Sequence, residues 1–235
     1  MKNRFARTLP LALALLATPA LSAEPVVADR PGFSTGTHTV APGHYNIELG
    51  FQAGDVSETL PLTNVRIGLT PKAELDVQWG GWTFDHGRST LNNLSLGGKY
   101  RLDDRGPCKL SLLGTFMLPS GNANPSGSGI APQAALLWNR GDWFGMFQLA
   151  SSHAGSLHTQ AQAAVGHTFA HGAQLGSYLE LFVDHPLNHA GSDSILVDGG
   201  FAWLLDTRTQ LDLHLGLDVN GNAAHFIGLG FARSY

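Results

Sequence analysis

The chain has 235 residues, 43% of them hydrophobic but only 14% charged, with a formal net charge of −4. That length suits one domain, and the charge content falls well below the ~25% of ordinary soluble proteins. The single cysteine excludes an intrachain disulfide, and the absence of a basic patch excludes nucleic acid as a partner.

In chain order, Lys2, Arg4 and Arg7 give a basic start, Leu9 to Ala20 an apolar stretch, and Leu21-Ser22-Ala23 a small-residue cleavage site. Residues 1–23 therefore read as a cleaved secretory signal, with Glu24 as the mature N-terminus. The apolar stretch falls short of the ~20 residues of a transmembrane helix. No cysteine follows it, so a lipid anchor is not expected. Without the signal, 11 bases face 18 acids, a net charge of −7. Residues 24–43, carrying Asp29-Arg30-Pro31-Gly32 and Ala41-Pro42-Gly43, read as an extended lead-in segment.

From there, alternating segments recur between turn signals. Twelve strands are predicted, at 44–53, 60–70, 73–84, 91–102, 108–119, 131–140, 143–153, 158–169, 173–184, 194–206, 209–219 and 223–235. Pro71-Lys72, Asp103 to Pro107, Gly141-Asp142, Ala170 to Gly172 and Thr207-Arg208 are short connections. Gly54 to Thr59, Asp85 to Thr90, Ser120 to Ile130, Ala154 to Leu157 and His185 to Asp193 are the others, mostly longer. Short and long ends alternate, as in outer-membrane barrels. Asn220 to Asn222 is short where parity asks for an outer loop.

Successive strand side chains face opposite ways. Tyr45, Ile47, Leu49 and Phe51 are assigned outward and Asn46, Glu48 and Gln52 inward. Leu75, Val77 and Trp79 go outward and Glu74, Asp76 and Gln78 inward. Leu94, Leu96, Tyr100 and Leu102 go outward and Asn93, Ser95, Lys99 and Arg101 inward. Residues 210–219 alternate without a miss, leucines against Asp212, His214, Gly216 and Asp218. Gly80-Gly81 breaks the phase, and a bulge is predicted there. A soluble lipocalin-like barrel also alternates, with its apolar face inward. Scarce charge, a polar face rich in Gly, Ser, Asn and Gln, and aromatics near strand ends favour lipid outside. Those aromatics are Tyr45, Trp82, Phe84, Tyr100, Trp138, Trp143, Phe144, Phe169 and Tyr235. The fold class is thus all-β: a closed antiparallel up-and-down transmembrane barrel of about twelve strands over residues 44–235.

The chain resembles the outer-membrane transporters of the phenol-degradation MetA-pathway family. The matching runs are Asp29-Arg30-Pro31, Thr39-Val40-Ala41-Pro42-Gly43 and Ile47-Glu48-Leu49-Gly50-Phe51. Next come Leu60-Pro61, Arg66-Ile67-Gly68-Leu69-Thr70 and Ala73-Glu74-Leu75. Then follow Leu96-Gly97-Gly98-Lys99-Tyr100-Arg101-Leu102 and Leu118-Pro119-Ser120-Gly121. The last are Leu179-Glu180-Leu181-Phe182, Asp198-Gly199-Gly200 and Gln210-Leu211-Asp212. They span nearly all of residues 24–235 in the family's order. The resemblance implies a twelve-strand-like barrel in the bacterial outer membrane with a transport role, and names no solute. The family tends to end in an aromatic pattern such as Tyr-Arg-Phe. Here Phe231 and Tyr235 keep the phase, Arg233 takes an outward position and Ser234 is penultimate. Recognition by the barrel-insertion machinery is expected through Tyr235.

The lumen charges are the main site candidates: Glu48, Arg66, Asp76, Lys99, Arg101, Glu180, Asp198, Asp212, His214 and Asp218. Gln160 and Gln162 share that polar face. Carboxylates outnumber bases, so an open pore would favour cations. The same charges could instead stitch a filled barrel together. The lead-in segment could lie in the periplasmic mouth or plug the lumen, with Asp29 and Arg30 meeting lumen charges. Ser151, Ser152 and His153 are the local candidates for a lipid-modifying enzyme, but proximity in sequence is not a triad, and the chain is not expected to be an enzyme. His185 and His189, beside Asp184 and Asp193, could bind zinc or copper, with His153 and His158 flanking another outer loop. Exposed loop histidines are the plainer reading, so no metal and no cofactor is assigned. The expected function is passive diffusion of a small solute, an aromatic or other hydrophobic compound being one candidate. The alternatives are a structural or surface-interaction barrel with a filled lumen, or an outer-membrane lipid-modifying enzyme. Expected partners are outer-membrane lipid, the insertion machinery and the solute.

Overall fold

The computed structural model describes residues 25–103, 105–122, 129–153 and 156–235. The predicted export signal lies outside the described residues. Alternation from Tyr45 onward builds fourteen strands: β1 (Tyr45–Gly54), β2 (Ser57–Thr70), β3 (Ala73–Trp79), β4 (Trp82–Asp85), β5 (Arg88–Leu91), β6 (Leu94–Asp103) and β7 (Cys108–Met117), then β8 (Ala131–Arg140), β9 (Trp143–His153), β10 (Leu157–Ala170), β11 (Leu175–Pro186), β12 (Ser194–Asp206), β13 (Thr209–Asp218) and β14 (Phe226–Ser234).

Two pairs are halves of single barrel strands. β2 pairs with β3 along its second half and with β4 along its first. β3 continues sideways to β6, and β4 to β5. Counted so, the wall is a closed twelve-strand antiparallel barrel, sealed where β1 pairs with both β2 and β14. The break falls at Gly80-Gly81, as the phase of the sequence predicts. Pro61 sits opposite it, between the β3 and β4 ladders and beside the β1 irregularity at Gly50 to Gln52. A proline cannot donate to a ladder, so it belongs where pairing is interrupted.

Three connections differ from expectation, the second outer one being the two-residue turn His86-Gly87, because Arg88 to Leu91 pair with β4. The first outer one is Asp55-Val56, because Ser57 to Leu60 pair with β4. The last is longer than expected and runs from 219 to 225. There Asp218 accepts from the amides of Asn220 (3.1 Å) and Ala223 (3.2 Å), while the His225 amide donates to Asp55 (2.9 Å). Side chains thus take the backbone groups that a longer ladder would have used.

The outer face is hydrocarbon. Along β13, Leu213, Leu215 and Leu217 are 41, 51 and 55% exposed, against 5 and 7% for Asp212 and His214. An exposed apolar belt of this kind is what a barrel presents to lipid. Tyr45, Tyr100, Trp143, Phe169, Trp203 and Tyr235 stand exposed near the short-turn end, and Trp82 and Phe84 near the other. Tyr45 stacks on Tyr235 at 5.0 Å across the seam. Arg233 lies with its guanidinium carbon 5.6 Å from the Tyr235 ring, which gives that outward charge a partner. Phe144 departs from the predicted girdle. It shares the parity of Met146 and turns inward, where its ring approaches Tyr178 and covers Gly166.

Residues 25–44 lie inside this wall. The Val26 amide donates to Thr207 at the short-turn end. The chain then rises to an apex at Phe33 and descends past Thr37 and Val40 to join β1.

Candidate functional site: a lumen occupied by the N-terminal segment

The lumen wall carries two charged groups, and the segment is bonded to both. The first lies on β1, β2, β3 and β6. Arg66, fully buried, donates to both oxygens of Glu74 (3.0 Å each) and to Glu48 (3.2 Å). It also donates to the carbonyls of Val27 (2.6 Å) and His38 (3.0 Å), one on each limb of the segment. Lys99 donates to both oxygens of Asp29 at 2.8 Å and lies 3.2 Å from Glu74. Glu48 accepts from the Asp29 amide, and Glu74 from that of Val40 at 2.6 Å. The predicted residues Glu48, Arg66 and Lys99 thus gather around the segment's own Asp29, and buried charges are tolerated when so bonded. Asp76, buried on the same wall, has no hydrogen-bond partner among the described residues.

The second group lies on β11, β12 and β13, and it is acidic. Glu180 accepts from the amides of Phe33 (2.7 Å) and Ser34 (3.0 Å), clasping the apex. Asp198 accepts from the Tyr178 hydroxyl at 2.6 Å and lies 3.4 Å from His214. Asp212 meets Arg30 at 3.3 Å. The Arg30 side chain crosses from the first group's side to the second over paired glycines. Gly50 and Gly230 are register partners in β1 and β14. A Cβ on either would stand 2.3 Å from the Arg30 guanidinium group. The sequence puts glycine where this side chain needs contact with bare backbone.

Arg101 and Asp218, predicted with these residues, belong to neither group. Arg101 sits at the short-turn mouth and donates to the Pro71 carbonyl. Asp218 ends β13 at the rim, where it accepts the outer-loop amides described above. Gln160 and Gln162 bond Asp184 on the outer half of the inner wall. Of the other candidates, Ser151 pairs with the hydroxyl of Thr159 at 3.3 Å, His185 with Asp193 at 2.7 Å, and His189 stacks on His158. Among the described residues no group of three or more His, Cys, Asp or Glu is arranged to hold a metal.

One part of the wall is apolar. Ala135, Leu137, Met146, Ala164, Phe182 and Leu196 form a buried cluster on β8 to β12, with Phe33 packed against it. Parity could have revealed part of it, because Phe182 shares the face of Glu180 and Leu196 that of Asp198. Leu137 lies in the run Ala134 to Trp138, where parity is unreadable.

Two cavities flank the segment at Asp29 and Arg30. The outer, about 550 Å³, is walled by amide and hydroxyl side chains such as Asn64, Gln78, Asn93 and Gln133, with Trp79 and Met117. The inner, about 490 Å³, lies between the segment and β8 to β13, beside Phe144, Tyr178 and Leu204. Asp29 and Arg30 border both. His38 lies toward the short-turn mouth, where loss of water and the cations Lys109, Arg101, Lys99 and Arg66 hold its ring below the usual imidazole range.

The family described as "Putative MetA-pathway of phenol degradation" matches residues 28–234. Among solved structures, the COG4313 outer membrane channel from Pseudomonas putida F1 is similar at 14% identity and a TM-score of 0.59, covering 88% of this chain and 99% of that one. The KdgM porin is similar at 12% identity and 0.57, covering 81% and 99%. The NanC porin is similar at 9% identity and 0.57, covering 80% and 98%. No curated protein matches.

Proposed function

The chain belongs to the phenol-degradation MetA-pathway family, and on that premise we propose that it is an outer-membrane channel passing a small solute by passive diffusion, with residues 25–44 as its internal closure. The carrying observation is that Asp29 and Arg30 wall both the outer and the inner cavity. A solute standing in the outer cavity is separated from the inner one by this crosspiece. Residues 1–23 serve as the export signal, and Tyr235 as the handle for the insertion machinery. The lipid-facing belt, the polar outer cavity and the likeness in fold to proteins named channel and porin support the reading. No catalytic step is assigned.

The second reading, a barrel whose filled lumen is purely structural, draws on the same ion pairs, which bind the segment at both limbs. Planar-bilayer conductance separates the two. Deleting residues 25–38 should raise single-channel conductance at least several-fold over the intact chain. Equal conductance would show that the segment closes nothing. A silent deletion variant that still folds would favour the filled barrel.

A further inference from the structure

Phe33 occupies a place unlike the rest of the lumen. Its ring stacks on Phe182 at 4.1 Å and 15°, and meets Phe226 edge-on at 5.8 Å and 85°. Hydrocarbon from Leu137, Met146 and Leu196 closes the site. The ring comes from a segment without regular structure, held there by the Glu180 clasp on its own amide. Its neighbours Gly32 and Thr35 line the outer cavity, so the site lies beside the space a solute entering from outside would fill.

From this we propose that the apolar pocket is a binding site for a small uncharged benzenoid solute, and that Phe33 is its resident occupant in the closed barrel. The proposal rests on the channel reading and adds the regulation of the same lumen. Exchange of one ring for another conserves apolar burial, so the cost of detaching the apex reduces to the two amide bonds that Glu180 accepts. Solute entry and release of the segment are then one event. Affinity in the intact chain is lowered by the small fraction of molecules with Phe33 out, and removing the ring lifts that restriction. Precedent for the vacated site is physical: an apolar cavity of ~150 Å³ lined by Leu, Ile and Phe stays dry and binds benzene. An anionic ring such as benzoate would meet the Glu180 and Asp198 carboxylates, so charge selects against it.

Methionine-methyl NMR of the full barrel tests this with phenol, the simplest water-soluble benzenoid, because Met146 lines the pocket and Met117 the outer cavity. Phenol should shift Met146 saturably, with a Kd at least tenfold lower in Phe33→Ala than in the intact chain. Phe33→Trp, which keeps the pocket filled, should gain nothing, and benzoate should leave Met146 unmoved. In a Ser34→Cys, Cys108→Ala background, phenol should speed thiol labelling at position 34 several-fold. No saturable Met146 shift in Phe33→Ala, or equal affinity with and without the ring, would overturn the proposal. So would a Met146 shift in the otherwise intact chain with unchanged labelling. If phenol binds at Met146 yet the barrel lacking residues 25–38 never conducts, the channel reading fails and this site stands.

Discussion

Replacing Arg66 by Met tests whether charge or mere bulk holds the segment in the lumen. The change removes five hydrogen bonds, to Glu74 twice, Glu48, Val27 and His38. Counted formally, Asp29, Glu48, Glu74 and Asp76 face Arg66 and Lys99, so the local charge falls from −2 to −3. Removing one partner of a buried ion pair costs ~3–5 kcal/mol. The low end applies here, because each acceptor keeps another donor. Glu74 retains the Val40 amide and Lys99, Glu48 retains the Asp29 amide, Val27 retains Asn46, and His38 retains Lys99. The expected loss is about 3 kcal/mol. Arg66→Lys restores the charge but not the planar fork, and about 1–2 kcal/mol should remain lost. Urea unfolding in lipid vesicles, followed by tryptophan fluorescence and read as the midpoint at constant slope, measures both. A loss below ~1 kcal/mol for Met, or equal losses for Met and Lys, would refute the electrostatic argument.

Three further outcomes are expected. Leu213→Arg puts a charge on the lipid face and should cost ~2–4 kcal/mol of folding into bilayers if it lies near the midplane; a loss within ~0.5 kcal/mol would contradict the assigned facing. Gly230→Val brings a Cβ to 2.3 Å from Arg30 and 2.4 Å from Asp212, so it should expel the crosspiece and raise conductance while the heat-modifiable gel shift persists; unchanged conductance would remove Arg30 from the closure. His38, depressed below the ordinary imidazole value of ~6.5, stabilises fully above that pH and progressively less as pH falls through its folded value, because the unfolded chain takes the proton first. Chemical unfolding between pH 7 and 5 should show this slope, and His38→Gln should flatten it.

The barrel was largely legible because its strands state their period openly. Residues 210–219 and 94–102 alternate cleanly, and their facing follows from one charged side chain in each. The inner apolar sector was harder to read, since Ala134 to Trp138 offer hydrocarbon at both parities and only the closed wall decides which side Leu137 takes. The course of residues 25–44 has no periodicity at all. Asp29 and Arg30 could be matched to lumen charges by sign, but Phe33 sits in a coil among small residues, and nothing local predicts that its ring would seek Phe182 across the barrel. The last outer loop is longer than its sequence pattern implies for a related reason. Asp218 and His225 satisfy backbone amides by side chain, which a pattern of alternation cannot anticipate.

The path of the segment across the seam bears on how long a folded molecule lasts. Arg30 bonds Asp212 of β13 and the Leu229 carbonyl of β14, while Asp29, Val27 and Val40 bond β1, β2, β3 and β6. The first and last strands are therefore joined twice, once by their own ladder and once from within, by a strap continuous with β1. Peeling β14 away must break the strap as well as the ladder, so what the strap adds to the folded state is added to the barrier to unfolding too. Such a barrel gains lifetime from the same residues that fill its lumen.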